Sequence, residues 1–156
     1  MIVMGIDPGL ARLGYGVIKK DGHTSTPVCH GCIQTTAGMR TGERLLAIST
    51  QIASLFDEHK PDFIAIENLF FTKNVTSAMG VAEVRGVILL AAEERGIPVT
   101  EYTPNQVKQA ITGSGRADKR QMQEMICRLL RLDAIPKPDD AADGLSIALC
   151  HIHIMR

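Results

Sequence analysis

The chain opens with an apolar run, Ile2-Val3-Met4-Gly5-Ile6, that stops at Asp7. A short, continuous apolar run bounded by turn residues is the pattern of a strand buried on both faces. Pro8-Gly9 follows as a turn, and Gly14 to Ile18 reads as a second strand. Lys19-Lys20-Asp21-Gly22 is a hairpin turn of the Asp-Gly kind, with a third strand over Thr24 to Thr35. Strands joined this tightly are expected to be antiparallel neighbours. The period then lengthens. Leu45, Ile48, Ile52, Leu55 and Phe56 recur at three- and four-residue spacing, which predicts an amphipathic helix over Thr41 to His59 that ends before Pro61-Asp62. Phe63 to Ile66 is another apolar strand, ending at Glu67. A long helix is expected from Thr76 to Arg95, closed by Gly96-Ile97-Pro98, and a strand from Pro98 to Tyr102. Three further helices are expected: Asn105 to Ile111, Asp118 to Leu132, and one capped by Asp139 that runs to about Ile154. The order β-β-β-α-β-α-β-α-α-α, without linker or repeat, predicts one α/β domain over residues 1–156 with strands and helices sharing a single sheet.

Composition narrows the class. With 156 residues, 45% hydrophobic and 22% charged, the chain has the make-up of a globular domain with a sizeable core. No apolar run approaches the ~20 residues of a membrane span, and Met1 to Gly9 lacks the features of a leader, so no membrane association and a cytoplasmic location are expected. Cys29 and Cys32 form a CxxC, but no second pair completes a zinc set, and Cys32 lies in a strand-like stretch. Buried, reduced thiols are the expectation for the four cysteines. Seventeen Lys+Arg against seventeen Asp+Glu give zero net charge, which taken alone argues against a nucleic-acid partner.

The placement of the acids changes that picture. Asp7 and Glu67 each end an apolar strand, where carboxylates are depleted and costly to bury unless paired or bound to metal. Asp140 and Asp143 form an i,i+3 pair at the start of the last helix. Such an Asp-rich helix start could simply complement the helix dipole. Four converging carboxylates would instead repel one another and suit hard divalent cations such as Mg²⁺, two of which can activate water and stabilise the leaving oxygen of a phosphodiester.

These residues carry a family resemblance. Met4-Gly5-Ile6-Asp7-Pro8-Gly9 with Gly14-Tyr15-Gly16, then Ala65-Ile66-Glu67-Asn68-Leu69-Phe70-Phe71, then Gln106-Val107-Lys108-Gln109, and last Asp140-Ala141-Ala142-Asp143 resemble the RuvC family of bacterial Holliday-junction resolvases in order and spacing across nearly the whole chain. The resemblance implies an RNase H-like fold with a mixed five-stranded sheet flanked by helices. It implies a homodimer, four-way junction DNA as substrate, paired symmetric nicks, and the RuvA/RuvB branch-migration complex as partner. It carries a catalytic and metal-binding quartet onto Asp7, Glu67, Asp140 and Asp143, with two Mg²⁺ per site and Mn²⁺ as a substitute. Gly144 departs from the usual Ala, and a glycine inside a helix costs roughly 1 kcal/mol, so a looser helix beside Asp143 is expected.

On the DNA side, residues 104–131 hold six basic and two acidic side chains, a local excess of +4. Lys108, Arg116 and Lys119 flank Gly113-Ser114-Gly115, a loop able to approach a phosphate backbone closely. Arg128 and Arg131 read better as an ordinary solvated helix face. Phe70-Phe71 follows Glu67 closely, with Lys73 and Asn74 beyond. The resemblance makes Phe70 a wedge stacking on junction bases, whereas the residues alone fit core packing equally. The helix from Thr76 carries a broad apolar surface, which either core burial or a two-fold interface would use. Alternatives to the resolvase reading are an RNase H-like nuclease acting on ribosomal RNA precursors, a non-catalytic junction-binding protein, and a kinase or ATPase of the actin-like superfamily.

Overall fold

The computed structural model describes residues 1–68 and 75–155. In chain order the elements are β1 (Ile2–Asp7), β2 (Arg12–Asp21), β3 (Thr24–Gln34), α1 (Thr41–His59), β4 (Phe63–Glu67), α2 (Val75–Glu93), β5 (Val99–Tyr102), α3 (Pro104–Thr112), α4 (Lys119–Leu130) and α5 (Asp139–Ile154). This is the order the hydrophobic pattern predicts. The main shift is in β2, which starts at Arg12 rather than Gly14, because its whole length pairs with β3 from Arg12 opposite Gln34 to Asp21 opposite Thr24. Gly22 turns the hairpin with φ of 55°, a left-handed conformation that glycine adopts without strain.

The strands form one sheet in the order β3-β2-β1-β4-β5. β1 pairs antiparallel with β2 and parallel with β4, and β5 extends the parallel half. The sheet is therefore mixed and five-stranded, as expected. Alternation divides its side chains between two cores. Met4, Ile6, Leu13, Val17, Ile64 and Ile66 point to the side covered by α1 and α2, where they meet Ile48, Ile52, Phe56, Val84 and Ile88. Val3, Ile18 and Ala65 point to the other side, where they meet Leu145, Ala148 and Leu149 of α5 with Val107, Ile111, Ile126 and Leu130 behind.

α5 is buried nearly all round, from Ala141 to Ile152 apart from Asp143. It reaches this position because the α5 face of β1 and β2 is lined with glycine. A Cβ on Gly5 would run into the backbone of Gly144 and Ala148, and one on Gly16 into Leu145. Gly144 answers from the helix, where a Cβ would strike the Tyr15 backbone. The expected loosening at Gly144 is thus replaced by close contact: the missing methyl lets helix and sheet backbones touch. Further along α5, buried His151 pairs its Nδ1 with the Tyr102 hydroxyl at 2.9 Å, tying the helix to β5.

α2 is long and apolar enough to cross a membrane by length and composition alone, although Glu83 and Arg85 interrupt its apolar sequence. Here it packs along α1, burying Val84, Ile88, Ala91 and Ala92, while Val75, Met79 and Leu90 remain exposed. The cysteines are free, but only Cys150 is fully buried; Cys29, Cys32 and Cys127 are partly open, which corrects the expectation of four buried thiols. Cys29 lies 3.2 Å from His59 Nε2 on the α1 side, whereas Cys32 sits beside Arg12, so the CxxC spacing does not assemble one site.

Candidate active site

Asp7 and Glu67 are the final residues of β1 and β4, adjacent parallel strands with Ile6 opposite Ile66. Met4, Ile6, Ile64 and Ile66 face α1 and α2, so alternation turns both acids toward α5. There the first turn of α5 brings Asp140 and Asp143. The glycine seam sets their height: Gly14, opposite Asp7 in the β1–β2 ladder, lies directly beneath the Asp140 backbone with no room for a Cβ. As a result Asp7, Asp140 and Asp143 each bring a carboxylate oxygen within 4.8 Å of the others. Glu67 lies beside this trio, in a cleft of about 220 Å³ shared with Asp143, Lys108, Lys119 and Ser146.

The four acids act on one another. Burial, reinforced by the charges of Glu67, Asp143 and Asp140, pushes the Asp7 carboxyl up to about 7. Burial and Asp143 push Glu67 up to about 6, with Lys108 pulling the other way. Asp143 is also raised, mainly by burial. An all-oxygen donor set in which burial and like charge disfavour the ionised forms of Asp7, Glu67 and Asp143 suits a hard divalent cation, whose charge offsets both.

The expected phosphate contacts divide. Lys108, half-buried on α3, faces Glu67 across the cleft. α3 is set by a capping box between Thr103 and Gln106 with Pro104 in its first turn. Lys119 opens α4 behind the Asp118 cap, and its Nζ lies 3.4 Å from Asp139 at the rim. Its charge also reaches Asp7 and Asp143, lowering both. Arg116 does not join the acids; it lines a separate cleft of about 360 Å³ with Thr112, Ser114, Gln121 and Arg128. Phe70, Lys73 and Asn74 lie outside the described residues. Asp139 does not cap α5, since Pro138 occupies the cap position and the Asp139 carboxylate is shared by Lys119 and Lys137.

One site residue was not expected. Arg12, at the start of β2, donates from Nε to Asp140 Oδ2 at 2.9 Å. The strand register explains its place: Asp7 faces Gly14, and Arg12 is two residues along on the same side of β2.

Comparison with known proteins agrees with this geometry. The family model described as crossover junction endodeoxyribonuclease RuvC matches residues 3–151. The RuvC protein of Desulfitobacterium hafniense strain DSM 10664 / DCB-2 is 52% identical over 153 residues, 98% of this chain and 93% of that one. The Brevibacillus brevis protein is 54% identical over 151 residues, 97% and 91% of the two chains. Among solved structures, T. thermophilus RuvC in complex with Holliday junction substrate superposes with a TM-score of 0.96 at 35% identity, covering 100% of this chain and 95% of that one. The yeast mitochondrial Holliday junction resolvase Ydc2 matches in fold alone, with a TM-score of 0.69 at 17% identity over 97% and 78% of the two chains. Strand-end acids, the glycine-seated α5 and a match over nearly the full length lead to one assignment: the chain belongs to the RuvC family of crossover junction endodeoxyribonucleases.

Proposed function

We propose that this chain is a divalent-metal-dependent endonuclease that resolves four-way DNA junctions by paired symmetric nicks, in homologous recombination and DNA repair. The observation that carries the proposal is the convergence of Asp7, Asp140 and Asp143 beside Glu67 in a chain of this family. Those four acids would hold the metal, two Mg²⁺ per site, with Mn²⁺ able to replace it. When bound there, Mg²⁺ supplies an activated water and stabilises charge on the phosphodiester oxygens.

The chain's own residues do the rest. Asp7, at about 7, releases its proton as the site is loaded, so loading and deprotonation are linked. Lys108, beside Glu67, offers a positive charge to the phosphate entering the cleft. Lys119, held by Asp139, guards the rim. Phe70, Lys73, Asn74 and Arg116 are proposed DNA contacts. A homodimer would give two sites for two opposed strands. The exposed Val75, Met79 and Leu90 of α2 support it, since a helix this apolar with large open side chains suits a second copy. RuvA/RuvB as partners and a cytoplasmic location belong to the same reading.

The test is cleavage of a synthetic four-way junction in Mg²⁺ beside duplex and single-strand controls. Paired symmetric nicks on the junction alone are expected, abolished by EDTA and reduced at least about a hundredfold in Asp7→Asn. EDTA-insensitive cleavage, or full activity in Asp7→Asn, would refute the proposal.

A further inference from the structure

Arg12 stands apart from the other cations around the site. Lys119 is engaged by Asp139 and Lys108 faces Glu67, whereas the Arg12 guanidinium is bonded directly to a member of the acid trio, at 2.9 Å from Asp140 Oδ2. The contact joins residues 128 positions apart and is built from both sides. β2 alternation sends Arg12 to the α5 face, and Gly14, two residues along, lets the Asp140 backbone settle onto the strand. Cys32 on β3 lies beside the guanidinium. The Arg12 side chain is nevertheless 49% exposed, and that of Asp140 25%, so the guanidinium stands at the open edge of the site and can leave it.

Two functions fit such a contact, and they differ in sign. A group that only orients Asp140 would help metal binding, as hydrogen-bonded supports of metal ligands generally do. A guanidinium, however, is a permanent positive charge. Beside a ligand carboxylate, it opposes an incoming dication and occupies one of the two Asp140 oxygens. In the metal-free protein the same charge offsets part of the repulsion within the trio.

We propose that Arg12 is the built-in counter-ion of the metal-free acid cluster. It competes with divalent metal for Asp140, and on loading its guanidinium passes to a backbone phosphate of the bound DNA strand. The inference rests on the acid cluster being the metal site, and its test separates the two.

Mn²⁺ binding to the intact protein without DNA is measured by electron paramagnetic resonance for the wild type, Arg12→Gln, Arg12→Lys and Asp7→Asn. Arg12→Gln is expected to bind Mn²⁺ roughly three- to tenfold more tightly, the scale of one partly solvated charge, while Arg12→Lys stays near wild type. In EDTA, Arg12→Gln melts below wild type, and saturating Mn²⁺ closes the gap. Equal or weaker Mn²⁺ binding in Arg12→Gln overturns the counter-ion role. A wild type that binds no Mn²⁺, or an Asp7→Asn variant that binds it unchanged, overturns the metal reading itself and this inference with it. For the phosphate contact, junction affinity is measured against salt in Ca²⁺ and in EDTA. Arg12→Gln is expected to lose about one unit of the logarithmic salt slope in Ca²⁺ and little in EDTA. Equal slopes in Ca²⁺ overturn that half.

Discussion

Asp7 is the residue on which metal, proton and fold meet. Its carboxyl ordinarily titrates at 3.8; burial first, then Glu67, Asp143 and Asp140, move it to about 7, while Glu67 moves from 4.5 to about 6. Between those limits the folded chain keeps protons that the unfolded chain has already released. Metal-free stability therefore falls as pH rises through this window. His151 pulls the other way: burial keeps it neutral, so its contribution grows until pH passes its ordinary 6.5. The informative quantity is thus the difference between wild type and Asp7→Asn. In EDTA, the melting temperature of Asp7→Asn is expected to gain on wild type from pH 5 to about pH 7, by several degrees, and to level off above it, because the variant has no charge to develop. Saturating Mg²⁺ should reverse the order at pH 8, since only the wild type keeps a full ligand set. A constant difference across that range in EDTA would contradict the raised carboxyl. Asp7 and Glu67 were legible in the sequence, since each interrupts an apolar run at a strand end. Arg12 was not, because the acid it pairs with lies 128 residues away and no local pattern connects them.

At the scale of elements, α5 decides whether those acids can meet. Helices usually rest on sheets through a layer of side chains, but here Gly5, Gly14 and Gly16 remove that layer and Gly144 removes its counterpart on the helix. Gly5→Ala would force the helix off β1 at Gly144 and Ala148, the first of them next to Asp143. Overpacking of this kind typically costs 1–3 kcal/mol, and contact with backbone on both sides places Gly5→Ala near ~3 kcal/mol by urea unfolding. Gly38→Ala, at a position with open space around it, is the control and should change nothing. A Gly5→Ala protein as stable as wild type would mean that the seam is slack. The strands and α1 were readable because their periodicity is local: α1 spans Thr41–His59 as the stripe from Leu45 to Phe56 predicts. The seam was not, because glycine's role in it is the absence of an atom, visible only when residues near 5 and 144 are brought together. The start of α5 was misjudged for a related reason. Asp139 has the chemistry of a cap, but Lys119 and Lys137 compete for its carboxylate, and Pro138 takes the cap position.

For the molecule as a whole, the neutral sum conceals a separation of charge. Four of the seventeen acids converge at the ends of β1 and β4 and the start of α5, leaving the remaining surface with a formal +4. Part of the basic excess over residues 104–131 is spoken for, since Lys119 pairs with Asp139 and Arg120 with Glu124. Among the described residues, Arg116, Arg128 and Arg131 make no ion pair and stay available to phosphate. DNA approaching the metal-free protein meets this cationic surface and, within about a Debye length, the acid cluster as well. Filling the cluster with dications removes the repulsive part and leaves the attractive part in place. Junction affinity at ~0.1 M salt is therefore expected to rise at least about tenfold from EDTA to saturating Ca²⁺. At pH 8, where the Asp7 carboxyl is ionised, Asp7→Asn lacks one of the repelling charges and should bind the junction more tightly than wild type in EDTA and respond less to Ca²⁺. A general effect of divalent ions on DNA would instead shift wild type and variant equally, in the direction of weaker binding through competition for phosphates. The sign of the Ca²⁺ effect, and its dependence on Asp7, thus distinguishes a charge-offset binding surface from ordinary screening.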